Sequence, residues 1–581
     1  MTTTARPGSR RSLRGVPAAP GIARGPWARV DRPPLPGRQT IEPERRGVEV
    51  ARLEPAARAV AAASQALASR MRGAGHGDEA AIFEAHAAMA QDPELLEDAK
   101  RRIRDVGVDA VTAMMEAAAA TADVLASLGD ELLASRATDV RDVGERIARV
   151  MAGLDDAGAL AIASVVVGRD LAPSLTATLP RDRLLAIVLE GSSPTAHAAI
   201  LARAYGIPAV VAATDLLAII AGTEPGTELL VDGSSGEVVV DPEADDIARF
   251  VGKAGDAAAA QERDIADAHL PAITTDGVEV TLEANIGRPD EAEHAIGLGA
   301  HGVGLFRTEF LFLERREAPS EDEQVEAYAR VVRAFAPHPV TIRLLDVGGD
   351  KPIPYLPIPA EDNPFLGVRA IRLARRRPAL FVTQLRACLR AAARGRVRVM
   401  APMIADLADV ELLLGLAEQA RAELDAEGVE HGSIELGTML EIPSAILTAD
   451  TWMDRVRFAS LGTNDLAQYT LAVDRGNADL ERFRDPLHPA ILRLIASAVE
   501  AAGRARVELA VCGEMAGDPV AAAALVGLGV RALSMVAGSL PSVRRAIRGA
   551  SILDLRATAL DALAIASAAE VRERFSRLVT S

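Results

Sequence analysis

Three polar residues end two neighbouring apolar segments in the C-terminal half of the 581-residue chain. Glu441 lies at the end of IELGTMLEI (434–442), and Asn464 and Asp465 end RFASLGTND (457–465). Two carboxylates and an amide suit a hard divalent cation that binds oxygen and keeps part of its water shell, and Mg²⁺ is the usual such cation. The alternative interpretation is a pair of solvated carboxylates at strand ends.

Arginine and cysteine supply the other reactive groups in this half of the chain. The guanidinium groups of Arg307, Arg343 and Arg475 match the oxygens of phosphate and carboxylate groups. Together with a Mg²⁺ site, they predict a small, highly anionic, phosphorylated substrate. Cys512 in VCGEMAGDP suits a nucleophile, an acid or a packing residue, and packing is the usual role of a single cysteine. Cys388 in QLRACLRA is interpreted as a packing residue on a helix face.

A histidine in the N-terminal half follows a Gly/Ser/Pro turn. In GSSPTAHAAILARAYGIPAVV (191–211), His197 starts an amphipathic helix, with Thr195 before it as a predicted N-cap or phosphate contact. Amide groups and the helix dipole at such a start stabilise an anion, including a phosphoryl group carried by the imidazole. Arg203 lies on the following turns. The alternative interpretation of His197 is a capping or surface residue.

Eight apolar segments carry the reactive residues of the C-terminal half, and helical or loop stretches separate them. This alternation over about 300 residues predicts a (β/α)₈ barrel, in which chemistry lies at the carboxyl ends of the strands. The segments are VEVTLEANI (278–286), GVGLFR (302–307), VTIRLLD (340–346), VRVMAPM (397–403), IELGTMLEI (434–442), RFASLGTND (457–465), ELAVCGEM (508–515) and RALSMVAG (531–538). The residues at predicted strand ends are Arg307, Arg343, Asp346, Glu441, Asn464, Asp465, Cys512 and Glu514.

The N-terminal half changes in composition along its length. An entry rich in proline and glycine precedes an alanine-rich stretch with helical spacing, which predicts an antiparallel helical bundle. His76 and His86 in that stretch are interpreted as polar residues on the surface or on a helix face. A compact α/β unit and then a charged helix without a strand partner follow. These regions are 1–43, 44–155, 156–242 and 243–268.

The overall composition restricts the class of protein. Hydrophobic residues make up 49% of the chain and aromatic residues 3%, so the cores are expected to consist mainly of Ala, Leu, Val and Ile. The net charge of −17 argues against a non-specific nucleic-acid binder and predicts a partner that is basic where it docks. Two cysteines suit a reducing compartment, and neither a secretory signal nor an 18-residue apolar run is present. We expect a cytoplasmic protein without membrane insertion.

Several long motifs resemble those of one enzyme family. They include GVGLFRTEFLF, LLDVGGDK, EDNPFLGVRAIR, SLGTNDLAQYTLAVDRGN and VCGEMAGDP, and the similarity runs from GVPAAPGIARG to SMVAGSLPSVRRAIR. The chain resembles enzyme I of the bacterial phosphoenolpyruvate-dependent sugar phosphotransferase system. AAIFEAHAAMAQDPEL and RATDVRDVGERI look like its helical subdomain, which docks a small histidine-containing phosphocarrier protein.

The resemblance implies a fold and a reaction. Phosphoenolpyruvate binds with Mg²⁺ in the barrel, its phosphoryl group passes to His197, and the phosphocarrier protein then accepts that group. By motif, Cys512 matches the proton donor to the enolate of pyruvate, which reverses the packing interpretation of its thiol. The implied substrate contacts are Arg307, Arg343, Asn464, Asp465 and Arg475, and the implied Mg²⁺ ligands are Glu441 and Asp465.

The same resemblance implies a division into parts and an assembly. A helical phosphocarrier-binding subdomain is inserted next to a phosphohistidine α/β subdomain, and a linker helix acting as a hinge leads to the phosphoenolpyruvate-binding TIM barrel, which also supplies a homodimer contact. The expected ranges are 44–155 for the helical subdomain, 12–43 with 156–242 for the α/β subdomain, 243–268 for the linker and 270–581 for the barrel.

The sequence departs from the family pattern next to His197. Ser192 and Ser193 stand where the family usually has glycines, and Ala196 stands where it usually has serine. A non-catalytic regulatory protein that kept the fold is therefore an alternative. A second alternative is a pyruvate phosphate dikinase-like enzyme, but this would require a nucleotide-binding domain, whereas the residues before the α/β unit are predicted to be helical.

Overall fold

The computed structural model describes residues 11–30, 34–73, 77–127, 131–154, 160, 162–171, 175–176, 179–191, 197–224, 226–313, 315, 317–348, 353, 355–356, 361–473, 480 and 485–579. The chain divides into two compact units, Met1–Ala257 and Ala258–Ser581. The division falls within a helix that covers Ala244–Ala266.

Alanine-rich helices form the first part of the N-terminal unit. Their mutual faces bury small and aliphatic side chains, among them Leu53, Ala117 and Ile147, so their core depends on close packing of small residues. The predicted helical bundle is confirmed. The helices are Arg46–Gly73, Gly77–Ala90, Pro93–Arg101, Ala110–Ser127 and Glu131–Ala152.

A histidine inside this helical region differs from its predicted environment. The His86 ring is completely buried, with Nε2 3.3 Å from Asp139 Oδ1 and Nδ1 3.8 Å from Asp142 Oδ2. The two aspartates lie three residues apart on one helix, so both carboxylates lie beside the ring. The surface interpretation of His86 is therefore wrong, whereas a place on a helix face agrees with its position in the helix Gly77–Ala90. His76 lies outside the described residues.

A mixed sheet forms the second part of the N-terminal unit. Within the described residues it has eight strands in the spatial order β1-β8-β7-β3-β4-β5-β6-β2. The parallel pairs β3-β4, β4-β5 and β5-β6 form its α/β part. The strands are β1 (Arg11–Arg14), β2 (Val16–Ala19), β3 (Ile22–Arg29), β4 (Ser164–Gly168), β5 (Leu184–Leu189), β6 (Ala209–Val211), β7 (Glu228–Asp232) and β8 (Glu237–Val240).

The C-terminal unit is a closed barrel of parallel strands. Each predicted apolar segment contains one strand, and the last strand pairs with the first, which confirms the (β/α)₈ prediction. The strands are β9 (Thr281–Ile286), β10 (Val303–Phe306), β11 (Val340–Arg343), β12 (Val397–Ala401), β13 (Ile434–Leu440), β14 (Phe458–Leu461), β15 (Glu508–Val511) and β16 (Ala532–Val536).

Helices surround the barrel and bury its apolar outer face. Some of their starts carry side-chain caps, including the Ser320–Glu323 capping box and the Asp518 side chain, which accepts from the first-turn amides. No described helix combines the length and apolarity needed to cross a bilayer. The main helices are Ala292–Gly297, Glu321–Phe335, Pro378–Ala391, Leu407–Glu427, Thr463–Leu471, Pro489–Ala505, Pro519–Leu528, Leu540–Gly549, Ile552–Ala562 and Ala568–Val579.

Two apolar clusters lie in the barrel unit. The larger one lies between strands and helices and includes Cys388, which confirms the packing interpretation of this thiol. A smaller cluster joins Leu305, Met400, Met439 and Phe458 to Cys512, from five different strands or strand ends. The second cluster therefore fills the barrel interior beneath the strand ends.

Candidate functional site

The sequence-predicted residues of the barrel unit lie at one rim. Because all eight strands are parallel, residues that follow or end them face the same side of the barrel. Arg475 lies outside the described residues. The others are Arg307 after β10, Arg343 at the end of β11, Glu441 after β13, Asn464 and Asp465 after β14, and Cys512 after β15.

Arg343 is a buried cation held between carboxylates. Its Nη2 donates to Glu309 Oε1 at 2.8 Å, and its Nη1 lies 3.3 Å from Asp346 Oδ2. Burial alone would lower the pKa of the guanidinium, but the carboxylates of Glu309, Asp346 and Glu441 outweigh burial and raise it. The buried Nε has no hydrogen-bond partner among the described residues. Arg343 therefore remains charged, and the described residues leave one of its donors unpaired.

Arg369 joins this rim, although no role for it was predicted from the sequence. Its Nη2 donates to both carboxylate oxygens of Asp346, at 3.0 and 2.8 Å, and lies 3.7 Å from Asp465 Oδ2. The pKa of Arg369 is raised because these carboxylates outweigh its burial. The only sequence signal was its place in the motif EDNPFLGVRAIR. Asp465 is thus partly compensated by a cation.

Glu441 is almost completely buried, and its carboxylate is poorly compensated. Burial raises its pKa to about 8, and the negative charges of Asp465 and Asp346 add to the shift against the opposing effect of Arg343. Its Oε1 accepts a 2.6 Å hydrogen bond from the backbone N–H of Met403. Met403 has φ +60°, an uncommon backbone conformation for this residue, so the hydrogen bond coincides with a local strain.

The helix Thr463–Leu471 brings two further predicted residues to Glu441. A Cβ atom on Gly462, which precedes this helix, would lie 2.9 Å from Glu441 Oε2, so the carboxylate packs directly against the helix start. Asp465 is buried on the first turn. Asn464 Nδ2 donates to Glu514 Oε1 at 3.1 Å, and Asn464 Oδ1 accepts from the Glu514 N–H at 2.9 Å.

Cys512 is buried at the base of the rim. Burial raises the pKa of its thiol to about 11, so the group is protonated at neutral pH. The same pKa responds to the charges of Glu441, Arg343 and Arg307, which places the thiol within their electrostatic reach. Gly513 follows it, and a Cβ there would lie 2.0 Å from Thr463 Oγ1. The chain can therefore pass the helix start only with glycine at this position.

The donor set fits Mg²⁺ with two protein carboxylates. The described residues contain no group of three His, Cys, Asp or Glu side chains arranged around one metal position. Mg²⁺ commonly uses one or two carboxylates together with substrate oxygens and water, so Glu441 and Asp465 are sufficient. The pKa of Glu441 is raised, and a bound divalent cation would lower it again.

In the N-terminal unit, the structure describes fewer of the residues that the sequence predicts around His197. The helix His197–Ala204 begins at the predicted histidine, whose side chain is not described, and Thr195, Ser192, Ser193 and Ala196 lie outside the described residues. Arg203 Nε donates to the carbonyl of Ala18 at 2.8 Å and so ties this helix to strand β2. That contact gives Arg203 a structural role.

Three matches to family descriptions cover both units. They are the N-terminal region of phosphoenolpyruvate-utilising enzymes over residues 14–136, their mobile domain over residues 162–236, and their phosphoenolpyruvate-binding domain over residues 261–552. The candidate site at the barrel rim thus falls within the stretch that matches the phosphoenolpyruvate-binding domain.

Curated relatives match over most of the chain. The phosphoenolpyruvate-protein phosphotransferase of Priestia megaterium is 37% identical over 97% of this chain and 98% of its own length. The protein of the same name from Streptomyces coelicolor is 43% identical over 97% and 98%. The multiphosphoryl transfer protein of Rhodobacter capsulatus is 43% identical over 85% of this chain, which spans 59% of that longer protein. The chain therefore belongs to the family of phosphoenolpyruvate-utilising enzymes that includes the phosphoenolpyruvate-protein phosphotransferases.

Proposed function

We propose that this protein is a phosphoenolpyruvate–protein phosphotransferase. It transfers the phosphoryl group of phosphoenolpyruvate to His197, releases pyruvate, and then passes the group to a histidine-containing phosphocarrier protein in the first step of sugar uptake. The observation that carries this proposal is the pairing of two buried groups at one barrel rim. The buried Nε of Arg343 has no partner among the described residues, and Glu441 has a raised pKa that a cation would lower.

The transfer moves one phosphoryl group and one proton. The bond between phosphorus and the enol oxygen breaks, its electron pair stays on that oxygen, and an imidazole nitrogen of His197 forms the new bond to phosphorus. Such a transfer depends mainly on positioning and on neutralising charge. Arg307 and Arg343 bind the anionic groups, with Asn464 and Arg475 as further contacts. Mg²⁺ bound by Glu441 and Asp465 would supply additional positive charge to the phosphoryl oxygens.

Cys512 completes the reaction as a general acid. The enolate that remains after phosphoryl transfer needs a proton on its methylene carbon, and a thiol with a pKa of about 11 holds that proton at neutral pH. Donation converts the enolate to pyruvate and leaves a thiolate. Because the thiolate is a strong base, it regains a proton from solvent before the next cycle.

The remaining parts of the proposal concern partners and location. Residues 44–155 dock the phosphocarrier protein, residues 12–43 and 156–242 carry the phosphohistidine, and residues 270–581 bind phosphoenolpyruvate. The segment 243–268 acts as the hinge that lets His197 reach the barrel. The assembly is a cytoplasmic homodimer through the barrel. Support comes from the full-length match to named phosphotransferases and from the net charge of −17, which suits a basic docking partner.

Labelled phosphoenolpyruvate tests the proposal directly. With Mg²⁺, the purified protein should acquire label that acid removes and base does not, as expected for phosphohistidine. His197→Ala should abolish the label, whereas the matched substitution His294→Ala at an exposed position should keep it. An unlabelled wild-type protein, as the regulatory-protein alternative predicts, or persistent label in His197→Ala would contradict the proposal.

A further inference from the structure

One tyrosine beside the rim contacts three chain segments that position the acidic residues. Tyr469 lies four residues after Asp465 on the helix Thr463–Leu471, so the two side chains share a helix face. The Tyr469 ring is partly buried, and its hydroxyl points at the loops that follow β11 and β12.

The hydroxyl of Tyr469 has three neighbours. It donates to the carbonyl of Phe365 at 2.7 Å and accepts from Nη1 of Arg369 at 3.2 Å. The sulfur of Met403 lies 3.8 Å away. A phenol has one proton and two lone pairs, so the Phe365 carbonyl takes the proton and Arg369 uses a lone pair. One oxygen atom thus joins two loops to the helix that carries Asp465.

Two of these neighbours lead directly to the proposed Mg²⁺ ligands. Arg369 holds the Asp346 carboxylate at both oxygens and lies 3.7 Å from Asp465. The backbone N–H of Met403 donates to Glu441. Because Met403 has a positive φ, the direction of this N–H depends on the packing around the residue. Loss of the Tyr469 hydroxyl would release one guanidinium nitrogen of Arg369 and one side of the Met403 side chain.

We infer that Tyr469 is a positioning residue that fixes Glu441 and Asp465 through Met403 and Arg369. Its effect on the reaction passes through these two neighbours. The inference rests on the proposed function, since it assigns the two carboxylates to Mg²⁺. Groups that orient metal ligands in this way commonly change metal affinity by about 10-fold to 100-fold when removed.

Tyr469→Phe tests the inference by removing one oxygen atom at nearly constant volume. Binding of Mn²⁺, a hard cation that replaces Mg²⁺ at oxygen sites, is followed by electron paramagnetic resonance with phosphoenolpyruvate present. We expect the dissociation constant for Mn²⁺ to rise about tenfold, and the Mg²⁺ concentration for half-maximal pyruvate formation to rise in parallel. The melting temperature in the absence of metal should stay within a few degrees of the wild-type value.

Tyr355→Phe is the matched control. The Tyr355 hydroxyl also donates to a backbone carbonyl, that of Phe312 at 2.8 Å, and among the described residues it makes no hydrogen bond to the acidic rim residues. This variant should bind Mn²⁺ as the wild type does. Equal affinities in the wild type and Tyr469→Phe, or equal losses in both variants, would overturn the inference. A wild-type protein that binds Mn²⁺ without forming pyruvate would instead contradict the proposed function.

Discussion

Each end of the barrel buries a glutamate with a raised pKa, but the charged neighbours of the two glutamates differ. At the carboxyl end, burial raises the pKa of Glu441 to about 8, and two further carboxylates add to the shift. In the amino-terminal half of β9, burial raises the pKa of Glu283 to about 7, against the opposing charge of Arg398. The raised pKa therefore reports burial at both ends, and only the neighbours distinguish a candidate metal ligand from a structural residue.

The arginines at the two ends differ in the same way. Arg398 donates from Nε to Glu435 at 3.0 Å and from both terminal nitrogens to Glu508 at 2.8 and 2.7 Å, and its guanidinium lies over the Phe458 ring. All of its nitrogens have protein partners. Arg343 keeps an unpartnered Nε among the described residues. A closed ion-pair network suits stability at the amino end, whereas an open donor suits binding at the carboxyl end.

The test of this contrast with the largest expected effect replaces each buried glutamate by its isosteric amide. Glu441→Gln should lower the rate of pyruvate formation about 10³-fold at saturating Mg²⁺, because the amide provides no negative charge for a cation. Glu283→Gln should change this rate by less than about twofold, since its neighbours are already paired within the protein. Initial rates in a coupled pyruvate assay measure both effects. Similar losses in the two variants would remove the functional distinction between the ends.

A second test uses the two ends of one strand. Glu508 begins β15 and pairs with Arg398, whereas Cys512 follows the same strand at the opposite rim. Cys512→Ala should slow pyruvate formation about 10²-fold to 10³-fold while phosphoenolpyruvate binding is kept, because only the proton donor is lost. Rapid-quench assays and equilibrium binding separate the two quantities. Unchanged pyruvate formation would exclude Cys512 as the acid.

Glu508→Gln is the companion variant on this strand. It weakens a partly exposed ion pair, so it should cost about 1 kcal/mol in unfolding free energy and leave the turnover rate unchanged. Denaturant unfolding and the same pyruvate assay measure these two properties. A slower turnover in Glu508→Gln would show that the amino end also affects the chemistry.

The sequence was sufficient to predict which rim holds the reactive residues. Each apolar segment contained one strand, and parallel strands bring their carboxyl ends to one side, so Arg343, Glu441 and Asp465 had to approach one another. This inference needs only the order of elements. It requires no knowledge of side-chain contacts, and therefore it succeeds from pattern alone.

Contacts between distant segments were not predictable in this way. Arg369 lies in a loop, and its pairing with Asp346 depends on how that loop folds back over the rim. Buried His86 has Asp139 and Asp142 as neighbours, from a helix more than 50 residues later in the chain. Local spacing carries no information about such partners. No role was therefore predicted for Arg369, and the surface interpretation of His86 was wrong.

The smallest expected effect is the pH dependence of stability caused by Glu283. Its pKa is about 7 in the folded protein and near 4.5 when exposed, so between these values the folded state holds a proton that the unfolded state has lost. Stability from this group is fully present below about pH 4.5 and is lost as the pH rises through 7. Glu441 acts in the same direction up to about pH 8 when no cation is bound.

Glu283→Gln isolates this contribution, because the amide resembles the protonated acid at every pH. The variant and the wild type should have equal melting temperatures near pH 4 without added metal. At pH 8 the variant should melt about 5 °C higher, corresponding to about 3 kcal/mol of removed charge burial. Calorimetry at both pH values, with Mg²⁺ present and absent, measures the difference. Because Mg²⁺ is proposed to bind only at the carboxyl end, it should not alter the difference between these two proteins, and a difference that disappears with Mg²⁺ would place Glu283 in the same site as Glu441.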